Sequence, residues 1–179
     1  MMGYYSDGTC TRKNTAERGK CSCSRFLAKR LSICLNLPFY PSDPFYWEPG
    51  WKLAPADKVF QQVREVISQE SWILDGNFDE YHELVWRQAD CILWLDYSLP
   101  IILKQVIIRN LKWLLTREPV WSGNRMTLHR AISGTRHAIR SYSMKKKNYP
   151  CWLAELSDIT QVRFCTRKET ETWLQSLNR

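Results

Sequence analysis

The residues with the greatest capacity for chemistry are two acids that end short apolar runs. Ser71-Trp72-Ile73-Leu74-Asp75-Gly76-Asn77-Phe78 stops at a carboxylate followed by glycine, and Cys91-Ile92-Leu93-Trp94-Leu95-Asp96 repeats the form. Both runs are too short and too continuously apolar for an amphipathic helix, and strands buried on both faces of a parallel sheet read this way. Ligands of an open α/β sheet sit outside the carboxyl ends of the strands, so an Asp at the last strand position faces the crevice. For each acid two readings stand: a group delivered to a site, or a cap that turns the chain after its strand.

A second candidate lies upstream, in Asn14-Thr15-Ala16-Glu17-Arg18-Gly19-Lys20-Cys21-Ser22. A phosphate-binding loop needs small residues so that backbone N–H groups wrap the phosphates, a Lys to reach them and a Ser or Thr on magnesium. Gly19 and Lys20 fit that pattern ahead of a helix. Asn14 replaces the first glycine, Cys21 stands in the hydroxyl position, Ser22 comes one residue late, and Glu17 brings negative charge. Alone, the segment is a weak signal.

The elements that must position these groups alternate. A helix with Phe26, Leu27, Leu31, Cys34 and Leu35 on its apolar positions leads to a short strand, Leu37 to Tyr40. The loop from Pro41 to Trp51 carries three prolines, a glycine and four aromatics, so it folds onto the domain or lines a pocket. Pro55 to Glu70 reads as a helix opened by Pro and Asp57, with Phe60, Val63 and Ile67 along one face. A short helix is expected over 79–89, and a long amphipathic one from Pro100 to about Thr116, whose apolar face belongs to the core by default. Pro119 to Asn124 breaks it, and a basic helix runs from about Thr127 to Lys147, ahead of Tyr149-Pro150. Trp152 to Leu156 begins the last section. A final strand, Val162 to Cys165, precedes Thr166-Arg167-Lys168-Glu169, a capping box opening a helix with Trp173, Leu174 and Leu177. Alternating strands and helices argue for a parallel sheet.

The chain of 179 residues suits one domain over 14–179, with 1–13 polar and loosely ordered. Nine tryptophans and 44% apolar residues agree with a packed globule. No run approaches the roughly eighteen apolar residues of a membrane span, and no hydrophobic signal core opens the chain, so the expectation is a cytoplasmic protein with no membrane partner. Seven cysteines, none paired at the two-residue gap of zinc or redox sites, suggest no metal or disulfide framework. The net charge of +8 raises the expectation of an anionic partner. Much of it lies in residues 104–147, including Lys145-Lys146-Lys147, where a solvated helical face, a phosphate clamp and a nucleic-acid surface are the open readings.

Together the segments Leu37 to Trp51, Trp72 to Phe78, Ala89 to Asp96 and Trp121 to Arg125 resemble the small P-loop nucleotide-kinase-related proteins of the adenylate kinase and shikimate kinase type. The likeness is nearest to the bacterial group labelled topology modulation protein or AAA-family ATPase. It runs from about Asn14 to the C-terminus, and Asp-Pro-Phe-Tyr-Trp-Glu-Pro-Gly-Trp with Trp-Ile-Leu-Asp-Gly-Asn carries its specificity. The resemblance implies a three-layer P-loop NTPase fold on a parallel sheet, with the first strand missing or degenerate. It also implies ATP and Mg²⁺ as cofactors, a small acceptor, and an ATP-dependent kinase or ATPase. Gly19, Lys20, Cys21 and Ser22 would stand at the phosphates, and Asp75 would hold magnesium through water. Asp43 would sit near the acceptor hydroxyl and the metal, and Phe45, Tyr46, Trp47 and Trp51 would wall the acceptor pocket. Arg109 and Arg125 match lid positions that supply guanidinium groups, since phosphoryl transfer rests on positioning and electrostatic stabilisation. The competing expectation is a catalytically inactive kinase-fold protein that binds nucleic acid or a partner through its basic helical face.

Overall fold

Four residues with no apolar run form the central strand of the sheet. In the computed structural model, which describes residues 20–76 and 80–177, β1 (Lys20–Cys23) lies between two strongly apolar strands, β5 (Trp72–Asp75) and β6 (Cys91–Leu95). Cys21 and Ser22 are small and neutral enough to be buried there, at 2% and 3% exposure. The outer positions belong to β2 (Phe39–Pro41) and β7 (Thr160–Phe164), giving the order β2-β5-β1-β6-β7 with every pair parallel. β5 is buried along its whole length, as a strand covered on both faces must be. The architecture is therefore α/β with a five-stranded parallel sheet.

The strands alternate with α1 (Arg25–Leu35), α3 (Ala56–Ile67) and α4 (His82–Trp86), and α7 (Arg167–Leu177) closes the chain. Leu27, Ala28 and Leu31 of α1 and Val59, Val63, Val66 and Ile67 of α3 repeat at helical spacing and are buried. The capping box forms at the start of α7. The Glu169 N–H donates to the Thr166 hydroxyl at 3.2 Å, and the Glu169 carboxylate accepts from the Cys165 N–H at 2.8 Å. The Cys165 N–H first, and then the Thr166 hydroxyl that donates to the same carboxylate at 2.9 Å, hold the Glu169 carboxyl below the usual range.

The chain divides into two compact units, a division that the reading of 14–179 as one domain does not make. The sheet unit comprises the described residues up to Ser42, Ala56–Asp96 and the stretch from Leu156. The second unit, Asp43–Pro55 with Tyr97–Glu155, is mainly helical. It holds α2 (Asp43–Tyr46), the hairpin of β3 (Trp47–Glu48) and β4 (Lys52–Leu53), α5 (Leu99–Thr116), a 3-10 turn at Trp121–Gly123, and α6 (Leu128–Ala154).

Three expectations are corrected. The sheet does not lack a strand at its centre: Lys20, Cys21 and Ser22, read as the end of a phosphate loop, belong to β1. α6 continues through Pro150 to Ala154 rather than ending near Lys147, and Tyr149 and Leu153, four residues apart on one face, are both buried across that proline. α5 is not a core helix, since Asn110 is the one buried residue among its eighteen. Gly19, the expected loop glycine, lies outside the described residues, as do Asn14, Glu17, the segment 1–13, Asn77 and Phe78.

Candidate functional site

In the sheet unit the direction of the chain reverses at β1. From β1 it runs to the edge strand β2, then returns through β5 and crosses β1 to reach β6 and β7. Such a reversal opens a ligand crevice outside the carboxyl ends of the strands. Asp75 ends β5 at that edge, in register with Cys23 of β1 and Pro41 of β2. Its carboxylate is buried, at 4% exposure for the residue.

Two neighbours that sequence reasoning missed hold it. Arg25, at the start of α1 and two residues beyond β1, donates from Nε to Asp75 Oδ2 at 2.9 Å. Ser42, just after β2, donates its backbone N–H to the Asp75 carbonyl at 3.2 Å and its hydroxyl to Oδ1 over a long 3.4 Å. Loss of water pushes the Asp75 carboxyl above its ordinary value, and the Arg25 charge and the hydrogen bonds from Arg25 and Ser42 only partly oppose this. Arg25 and Ser42 are the first residues past neighbouring strand ends or close to them, a signal readable only once the register is known.

Lys20 is placed elsewhere. It opens β1 opposite Trp72, three positions along the ladder from the Cys23–Asp75 pair, or about 10 Å at strand rise. Its backbone N–H donates to Asp90 Oδ2 at 2.8 Å. Lys20, Cys21 and Ser22 therefore form strand rather than loop, and the lysine stands at the amino end of the sheet, away from the edge that carries Asp75. The link between β1 and α1 is Ser24 alone, and it contains no glycine.

The second acid, Asp96, has the bland role. It is buried after β6 and takes both Nε and a terminal nitrogen of Arg163 on β7, whose guanidinium stacks over Trp94 at 4.8 Å. Both nitrogens donate to the one oxygen Oδ2, and this charge-assisted contact ties two strand ends together.

In the second unit, Asp43 opens α2, and the expected pocket-wall residues Phe45, Tyr46, Trp47 and Trp51 are half-buried. Trp47 and Trp51 stack edge to face at 5.3 Å, Trp51 and Trp121 at 5.9 Å, and Trp121 and Trp113 at 5.5 Å. The Arg130 guanidinium lies over both Trp47 and Trp51, 5.6 Å and 5.5 Å from their centroids, and donates to the Trp51 carbonyl at 3.3 Å. Trp51 has φ of 58°, a left-handed conformation costly for so large a side chain. Buried Asn124 holds it there. Asn124 accepts from the Trp51 N–H at 2.9 Å and donates to the carbonyls of Glu48 and Trp121 at 2.9 and 2.8 Å. Asn124 and Arg130, unremarked in the sequence, organise this cluster.

The expected lid cations sit in the same unit. Arg109 lies over Trp113 at 5.0 Å. Arg125 has an exposed side chain, while its carbonyl accepts from the Trp51 indole at 2.9 Å and its backbone bridges Pro119.

Among the described residues no group of three or more His, Cys, Asp and Glu side chains could hold a metal, and no helix is long and apolar enough to cross a membrane. Magnesium does not require such a cluster. It keeps several waters and is bound through one or two carboxylates together with substrate phosphates, and Asp75 is a carboxylate that could serve as one of them. No family model matches this chain, and no curated protein or solved structure matches it.

Proposed function

We propose that this chain binds ATP with Mg²⁺ at the carboxyl edge of its sheet, as an α/β protein related to the P-loop nucleotide and small-molecule kinases. The observation that carries the reading is Asp75. It is a buried acid at the point where the strand order reverses, paired with a guanidinium that opens the neighbouring helix. The proposal differs from the sequence expectation in the phosphate group's partner. Arg25, with the first-turn N–H groups of α1, takes the role first given to Lys20. Those N–H groups have no intrahelical acceptors, and the Ser24 side chain does not cap them.

Arg25 would engage the phosphates, and the Asp75 carboxylate would hold magnesium through water. The magnesium would neutralise charge on the outer phosphates. Burial resists the charge of this carboxylate and Arg25 offsets part of that cost, so a magnesium ion would have to replace the counter-charge if Arg25 turned to phosphate. Within the second unit, Asp43, Arg109 and Arg125 are proposed to serve a small acceptor: Asp43 would orient its hydroxyl, Phe45, Tyr46, Trp47 and Trp51 would wall its pocket, and the two arginines would offset negative charge on it.

Thermal shift with nucleotide tests this. ATP with magnesium should raise the melting temperature by mass action on the native state. Arg25→Ala should abolish the shift, Asp75→Asn should remove its dependence on magnesium, and Lys20→Ala should leave it intact. A wild-type protein that ATP does not stabilise sinks the proposal, and a shift lost only in Lys20→Ala restores the loop reading.

A second reading is favoured by charge: a kinase-fold protein without turnover that engages nucleic acid or a protein through residues 104–147. Nucleic-acid affinity would then fall steeply with salt, and ATP would not stabilise the chain.

A further inference from the structure

The most apolar helix of the second unit is left largely uncovered. On α5, Ile107, Leu111 and Leu115 recur every four residues with Ile108 beside them, so they form one stripe, and Leu115 is 84% exposed. α6 presents Leu128, Ile132 and Ile139 at the same kind of spacing, and Leu128 is 67% exposed. The two helices pack on each other, pinned where Asn110 Nδ2 donates to the Ala131 carbonyl at 3.2 Å. Ile107, Leu111 and Leu114 on one side and Leu128, Ile132 and Thr135 on the other enclose a groove of about 240 Å³. That is less than the roughly 300 Å³ at which small-molecule pockets begin. Contiguous exposed apolar surface of this kind marks an interaction site.

The charge around the groove selects the occupant. Residues 97–155 carry eleven Lys and Arg against two Asp and Glu. Arg136 lines the groove, and Lys104, four residues before Ile108 on α5, and Arg140, four residues after Arg136 on α6, are exposed about one helical turn further on. A second copy docking by this face would bring like charges together, which opposes association. Nucleic acid supplies phosphates for the cations but nothing for a Leu and Ile stripe, because such interfaces are polar. Helices that rest on a bilayer often carry Trp or Phe on their apolar face, whereas here the exposed apolar residues are all aliphatic and part of them, Ile107, Leu111, Leu128 and Ile132, line a groove between two helices.

We propose that the α5–α6 groove docks an acidic amphipathic helix of a partner protein. The apolar face of that helix fills the groove, and its carboxylates meet Lys104, Arg136 and Arg140. Helix-in-groove recognition uses anchors at this spacing, and complementary charge sets orientation and the rate of encounter. The inference concerns the second unit alone and does not depend on nucleotide binding.

The test uses the full chain and a fluorescent synthetic peptide in which Leu at heptad a and d positions is set among Glu, with a counterpart carrying Lys for every Glu. The Glu peptide should bind, more weakly as salt rises, and the Lys peptide should not. Leu111→Glu and Ile132→Glu change exposed residues, so the fold should survive, as an unaltered thermal melt would verify. Each should weaken the Glu peptide about tenfold or more, the loss typical of a central anchor. Arg136→Glu with Arg140→Glu should also weaken it and flatten its salt dependence. Equal binding of both peptides, or none, overturns the proposal. So does binding to duplex DNA or to phosphatidylserine vesicles that Leu111→Glu abolishes while the Glu peptide stays unbound. Self-association of the wild type that Leu111→Glu abolishes would instead assign the groove to a second copy.

Discussion

The two units of this chain solve the problem of apolar surface in opposite ways. In the sheet unit the most apolar segments are the innermost: Trp72, Ile73 and Leu74 are fully buried, and Cys91 to Trp94 nearly so. In the helical unit the most apolar segment, α5, buries only Asn110, and the local order comes from four tryptophans, an arginine and an asparagine bound to backbone. Charge divides in the same way. Asp43–Pro55 with Tyr97–Glu155 holds 12 Lys and Arg against 4 Asp and Glu, while the rest of the sequence holds 14 of each, so the whole net charge of +8 belongs to the helical unit. The sheet unit is neutral, with a closed apolar core and a buried acid at a strand end. The helical unit is basic and carries exposed aliphatic residues, the kind of surface that marks interaction sites.

Truncating side chains in each unit puts the contrast to measurement. Trp72→Ala should have the largest effect, about 3–5 kcal/mol in urea unfolding, by removing a fully buried indole from the amino end of β5. Trp72→Phe should cost much less, since the indole N–H finds no hydrogen-bond partner among the described residues. If Trp72→Ala proves mild, the sheet unit lacks the closed core described here.

Asn124→Ala comes next, at about 2–3 kcal/mol. It deletes three hydrogen bonds and leaves the Trp51 N–H and two carbonyls to find other partners. Near-ultraviolet circular dichroism should lose the signal of the packed indoles. An unchanged spectrum would mean that aromatic stacking alone holds the hairpin.

Asp75→Asn should act in the opposite direction. Its carboxyl is raised in the folded protein, so the native state favours the neutral form. Stability from this group therefore grows as pH falls through the raised value and is lost above it. The Asn variant, neutral throughout, should melt at or above the wild type near neutral pH, with the gap closing on acidification. A variant that melts lower at neutral pH would show that the Arg25 pair outweighs the desolvation. Smallest of all, Leu115→Ala should change stability by no more than about 0.5 kcal/mol, the range of exposed sites. A cost near that of Trp72→Ala would mean that α5 is covered within the chain itself.

Much of this was legible without coordinates. Trp72 to Asp75 and Cys91 to Leu95 announce buried strands because their hydrophobicity is unbroken over a strand's length, and Thr166 to Glu169 announces a helix start because capping is local chemistry. β1 was not legible. Lys-Cys-Ser-Cys has no apolar pattern, and its burial is conferred by the strands on either side, which lie far along the chain. Misreading it moved Lys20 into a loop and hid Arg25 as the neighbour of Asp75.

What the amino-acid order determined by itself is whatever depends on residues within a turn or two of each other: the starts of the longer helices, the alternation of elements and an acid at the end of a strand. Tertiary structure alone decided which strand lies at the centre, which end of it Lys20 occupies, and that an amphipathic helix faces outward. Periodicity says that a face is apolar. Only the pairing of distant segments says whether anything in the same chain covers it.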